Sequence, residues 1–237
     1  MKLLSSADVW RLLHNKYVAV LGDSIQRSIY KDIVKILQND EFRTENQLKR
    51  KVRHYRTDNH LVQFFSLTHV SLKYIESVLA DFEQGPLFDV VIINSFIWDV
   101  IRNHEQSLEI NQDHLPIRLT EVLSPYCLVI WNMAMPVGFK AGEVLEYPIP
   151  NVRWDIKEGN IYSATLADLH KFDVINMHFH FHFELRSRVK DATHSNQLAH
   201  RKYTCILMAH IDQAWGVQQE QQEEEVVGSK TEHAQHW

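Results

Sequence analysis

Glycine is scarce in this chain: seven in 237 residues, less than half the ordinary usage of about 7%. None of the seven lies between Gly22 and Gly85, a gap that bears on the chemistry below. Cysteine is nearly absent too. Cys127 and Cys205 stand far apart in apolar surroundings and no Cys-x-x-Cys pair exists, so both are read as reduced core residues. No apolar run approaches the roughly 18 residues of a membrane-spanning helix, and Met1 to Val9 lacks the apolar stretch and small-residue cleavage site of a secretory signal. The expected location is therefore cytoplasm or nucleus, with no membrane partner. Positive charge is not in excess either: 25 Lys and Arg face 30 Asp and Glu, a net charge of −5. Five glutamates and one lysine fall after residue 216, which leaves the body near neutrality. Such a body has no field to gather phosphates, and no nucleic-acid partner is expected.

What is present is a globular composition, 45% hydrophobic and 23% charged, enough to bury a sizeable core. Tyr17 to Leu21 is a short continuous apolar run closed by Gly22, the mark of a strand buried on both faces. Ile25, Ile29, Ile33, Ile36 and Leu37 then repeat at helical spacing. The alternation continues through a strand at Leu61 to Leu67, a helix stripe from Leu72 to Phe82, a buried strand at Asp89 to Asn94, a helix over 106–123 interrupted by Pro116, and a strand at Cys127 to Met133. A fifth strand is expected within Phe172 to Phe183 and a last helix from Ser195 to Trp215. Pro136 to Gly159 reads as a long surface loop. Alternating elements of this kind build an α/β fold, a three-layer α/β/α sandwich on a mostly parallel sheet. The domain organisation expected is one domain over residues 1–216 and an acidic, Gln/Glu-rich tail over 217–237, expected to be disordered.

Gly22-Asp23-Ser24 sits where the first buried strand meets a helix. Ligands of open α/β sheets bind at the carboxyl ends of the strands, and a serine there faces the N–H groups of a helix N-terminus, which favour a developing oxyanion. The same position fits a helix cap equally well, because Asp and Ser are both good caps. A serine nucleophile needs a base and a group that orients it. Asp191-Ala192-Thr193-His194 offers both, although Asp191 or Thr193 could equally cap the helix that follows. Asn94 ends the third strand at the same edge, either as an oxyanion donor or as an Asx turn.

These residues resemble one family. Gly22-Asp23-Ser24 followed by Arg27, Asn94-Ser95 with Trp98-Asp99, and Asp191-x-x-His194 are similar to the PC-esterase branch of the GDSL/SGNH hydrolase superfamily, in order and placement, across most of residues 6–216. The resemblance implies a serine ester hydrolase or acyltransferase working through an acyl-serine: Ser24 as nucleophile, His194 as base, Asp191 as its orienting acid, and the Ser24 backbone N–H with Asn94 as the oxyanion hole. It implies no cofactor and no metal. The implied partner is a small acylated substrate or an acylated biopolymer, with no protein partner identified. Family members carry a glycine in a second block, between the serine and asparagine strands, whose N–H also donates to the oxyanion; the gap between Gly22 and Gly85 leaves that glycine out. Ala192 likewise stands where the family has glycine. The alternative function is accordingly a catalytically impaired pseudoenzyme that keeps the fold as a ligand- or protein-binding module.

Two further patterns invite other chemistry. His178, His180 and His182 alternate with Phe179, Phe181 and Phe183, which on a strand places three imidazoles on one face. Neighbours on that face lie about 6–7 Å apart, too far to converge on one zinc ion, so a polar face near the cleft is expected. Lys49, Arg50, Lys51, Arg53 and Arg56 read as a solvated basic loop. Trp98 and Trp131 are read as core or cleft-wall aromatics.

Overall fold

The computed structural model describes residues 4–38, 52–67, 72–94, 108–138, 151–189 and 194–216. The tail over 217–237, Trp98 and most of the basic run lie outside them. Apolar continuity decides the centre of the sheet. β1 (Lys16–Gly22), β3 (His60–Ser66), β4 (Val90–Asn94) and β5 (Leu128–Asn132) are parallel, and β6 (Asp173–Ile175) extends the parallel set. The sixth strand, β2 (Val52–Arg56), pairs antiparallel with β3. Strand order is β2-β3-β1-β4-β5-β6.

Alternate residues of the central strands feed two cores. Val18, Val20, Val90, Ile92 and Ile130 pack under α1 (Ser6–Leu12), α2 (Ser24–Leu37) and α7 (Gln197–Trp215). Ala19, Leu21, Val91, Ile93, Val129 and Trp131 pack under α3 (Leu72–Gln84), α4 (Leu108–Val122) and Ala167 of α5 (Val152–Leu169). Three layers of α/β/α follow because a strand buried on both faces needs a helix layer on each. Trp131 is a core residue, as its setting in an apolar run implies. α2 and α7 lie together on the face that carries the candidate site, joined by Arg201, whose Nε donates to both carboxylate oxygens of Asp32 at 3.1 and 3.0 Å. Both cysteines are free and half-buried, and burial pushes the Cys127 thiol up to about 12.

Three sequence expectations are corrected. The basic stretch before Asn59 holds a strand, β2, with Tyr55 buried while His54 and Arg56 face solvent; an edge strand with one wet face reads as polar in sequence. Phe172 to Phe183 is a strand only as far as Ile175. It then turns into the short helix α6 (Met177–His180), because the Asn176 side chain caps it by accepting from Phe179 N at 2.8 Å. The three histidines therefore share no strand face. Finally, the expected loop from Pro136 to Gly159 gives way to α5 at Val152. Asn160 anchors that helix, accepting from Ala134 N at 2.6 Å and donating to Ala134 O at 2.9 Å, and its packing overrides the helix cost of Gly159, about 1 kcal/mol.

Candidate active site

The site begins with a glycine that cannot be replaced. Gly22 has φ +154°, and a Cβ built on it would fall 2.0 Å from Asn94 O and 2.5 Å from Gln26 Cγ. The strand-to-helix turn is thus pressed against β4 on one side and the first turn of α2 on the other. Asp23 follows as the cap of α2: its carboxylate accepts from Ile25 N at 2.8 Å and Gln26 N at 3.3 Å. Burial raises the pKa of this carboxyl, opposed by those two N–H groups and by the charges of His194 and Arg27. The capping task falls to Asp23, and the Ser24 hydroxyl is left for other work. Ser24 Oγ lies 2.6 Å from His194 Nε2; with that nitrogen unprotonated, the hydroxyl donates to it.

His194 is held from both sides along the chain. Arg188 and Ser195 form an antiparallel bridge, Val189 N donates to His194 O at 3.0 Å, and Asn196 N donates to Ser187 O at 2.8 Å. The Arg188 guanidinium donates to Ser195 Oγ at 2.7 Å and also to Pro136 O, so the histidine segment is strapped to the chain leaving β5. The helix cap downstream is Asn196, whose side chain accepts from Ala199 N at 3.0 Å. Asp191 and Thr193 lie outside the described residues.

Asn94 is buried at the end of β4, and its side chain donates to the Tyr203 hydroxyl. The same hydroxyl accepts from Gln26 Nε2 at 2.8 Å. Tyr203 is fully buried, and burial raises its pKa, so the phenol keeps its proton. Three elements, α2, β4 and α7, thus meet at one oxygen. Next along the same edge, one residue past the Ile93–Trp131 pair, stands Asn132. It is 1% exposed, and among the described residues neither its Nδ2 nor its Oδ1 has a hydrogen-bond partner; the Oε1 of Gln26 is likewise unmet there. An unmet buried polar group costs about 1–3 kcal/mol. Arg27 lies one turn after Ser24, with its guanidinium carbon 5.8 Å from the Phe64 ring centre.

Sequence reading singled out Ser24, His194 and Asn94, but not Gln26, Tyr203, Asn132 or Arg188. No local signal marks those four; they become neighbours of the site only through the strand order. Near His194, burial lowers the pKa of His200, and the charges of His194 and Arg188 act in the same direction. Among the described residues, no group of three or more His, Cys, Asp or Glu could hold a metal ion, and no helix is long and apolar enough to cross a membrane.

The chain is similar to several known proteins. It is 40% identical to PC-esterase domain-containing protein 1A of Mus musculus over a 250-residue alignment, covering 90% of this chain and 56% of that protein. The human 1A protein gives 40% over the same share of this chain, and the 1B protein of Rattus norvegicus 37% over 92% of this chain and 60% of its own length. The chain therefore spans little more than half of the curated relatives it matches. No family model matches it. Among solved structures, a GDSL-like lipase from Bacteroides thetaiotaomicron has a TM-score of 0.58 at 14% identity, covering 84% of this chain and 89% of that one. An acetylxylan esterase from Geobacillus stearothermophilus has 0.56 at 13%, covering 84% and 95%. At these identities the likeness is one of fold.

Proposed function

The chain is a homologue of PC-esterase domain-containing proteins 1A and 1B on the fold of GDSL-like esterases, and from that premise we propose that it is a serine ester hydrolase or acyltransferase. The observation that carries the proposal is the 2.6 Å contact between Ser24 Oγ and His194 Nε2 at the carboxyl edge of the sheet. Ser24 Oγ attacks the acyl carbon while its proton passes to His194 Nε2. The resulting oxyanion accepts from the Ser24 backbone N–H, at the positive end of α2, and from the Asn94 carboxamide. His194 then gives the proton to the leaving alcohol, and an acyl-serine remains. Water or a second alcohol attacks it by the reverse path, which regenerates Ser24. Asp191, three residues before His194, is assigned as the acid that orients the imidazole.

An active-site-directed fluorophosphonate and short p-nitrophenyl esters test this. Wild type is expected to label and to turn over, and Ser24→Ala to lose labelling together with at least about 10³-fold in kcat. Labelling that persists in Ser24→Ala overturns the assignment. A second reading has its own support: the missing glycine between Gly22 and Gly85 takes one family oxyanion element away. In that reading the cleft binds an acylated ligand without turning it over, and a wild type that neither labels nor hydrolyses selects it.

A further inference from the structure

Two cavities open side by side where α1, α2 and α7 meet, and they share Leu198 and Arg201. The first holds about 630 Å³, within the size range of small-ligand sites. Val9, Ile36 and Met208 are its buried floor, Leu4 and Cys205 are half-buried, and Leu198, 80% exposed, stands at its rim. The second, of about 530 Å³, runs along α2 past Ser28, Lys31, Asp32 and Lys35. Four cations, Lys31, Lys35, Arg201 and Lys202, line the pair against one carboxylate among the described residues, Asp32. Apolar surface thus lies on one side of a seam at which positive charge collects.

We propose that the paired cavities bind a medium-chain carboxylate, its chain in the first and its charged end at the seam, in a site separate from Ser24 and His194. The two linings select this ligand together. An apolar floor rewards each buried methylene with about fourfold in affinity, but a neutral chain would leave the cations unused. An inorganic anion would engage the cations and leave the floor wet. Arg201 is fixed at the seam because its Nε donates to both oxygens of Asp32, at 3.1 and 3.0 Å. Lys202 is fixed by donating to His180 O at 3.2 Å and to the Glu184 carboxylate. Leu198 lies in the first turn of α7, so the positive end of a 19-residue helix adds to the field there.

Calorimetric titration of the whole chain with decanoate, hexanoate and 1-decanol at low salt provides the test. Decanoate is expected to bind one per chain, at least about tenfold tighter than hexanoate because four more methylenes are buried. It is also expected to bind at least about fivefold tighter than decanol, which lacks the charge. Leu198→Asp and Leu198→Lys lose the same exposed leucine and differ in the sign of the charge placed at the rim. Decanoate is expected to bind the aspartate variant at least about fivefold more weakly than the lysine variant. Ser24→Ala is expected to bind decanoate as wild type does, so the site stands or falls independently of esterase activity. No saturable binding overturns the inference, as does equal affinity for decanoate and hexanoate, for decanoate and decanol, or in the two Leu198 variants. Binding lost in Ser24→Ala also overturns it, by placing the ligand at the nucleophile.

Discussion

The Tyr203 hydroxyl is the oxygen on which the site's geometry turns. It receives one N–H from Gln26 and one from Asn94, so it fixes the plane of the carboxamide whose second N–H is assigned to the oxyanion. Tyr203→Phe removes that single atom and strands two buried donors. The expected result is a kcat about tenfold lower with KM little changed, since a mis-aimed oxyanion donor is felt in the transition state rather than in binding. Steady-state kinetics on a p-nitrophenyl ester decide it, and an unchanged kcat refutes the positioning role. Ser24 and His194 could be singled out in the sequence because nucleophile and base each sit in a compact, recognisable string. Tyr203 could not. Seven residues into a long helix, it shows only as one more apolar position in the stripe of α7.

Secondary elements were legible where burial is symmetric. Val18 to Leu21 and Val90 to Ile93 are apolar throughout because helices cover both faces, and the strands that contain them emerge within a residue of their expected bounds. Asymmetry hides an element: β2 shows Tyr55 to the core and His54 and Arg56 to water, so its basic side chains dominate the reading. Local hydrogen bonding can also defeat periodicity. The His/Phe alternation after Ile175 mimics a strand, yet Phe179 and Phe183 are exposed and the Asn176 cap supplies the helix start. α1 offers a test of a cap at this scale. Ser5 and Asp8 form a capping box: Asp8 N donates to Ser5 Oγ at 3.2 Å, and Ser5 N donates to the Asp8 carboxylate at 2.9 Å. The Ser5 hydroxyl and N–H lower the Asp8 pKa from 3.8 to about 2. A lowered acid stabilises the fold above its unfolded pKa and ceases to do so as pH falls through its folded one. Asp8→Asn is therefore expected to melt about 1–2 °C below wild type at pH 7, with the gap closing as pH falls from 3.8 toward 2. Scanning calorimetry across that range decides it, and a gap that widens on acidification contradicts the cap.

For the molecule as a whole, the sheet divides the interior into two cores that share strands but no side chains. Ile33 lies fully buried in one and Leu79 in the other. Each cut to alanine is expected to cost about 2–5 kcal/mol, and the double variant the sum within roughly 0.5 kcal/mol, because side chains on opposite faces have no shared cavity into which to relax. Urea unfolding by two probes checks this; a large coupling term would mean that the sheet transmits repacking between its faces. Architecture was the most legible scale, since alternating strand and helix signals point to an α/β/α sandwich even where single boundaries slip. The strand order was not, and with it went the adjacency of Asn94 and Asn132.

The sheet's margins determine how the folded chain meets copies of itself. Among the described residues, β6 is three residues long and β2 presents the exposed Arg56. A strand of three residues is too brief to template another, and like charges brought edge to edge repel. The long apolar strands that would recruit a foreign strand, β1, β4 and β5, are all interior to the sheet. Self-association by strand addition is thereby blocked at both ends, and this gives the antiparallel β2 a protective role apart from any chemistry at the carboxyl edge.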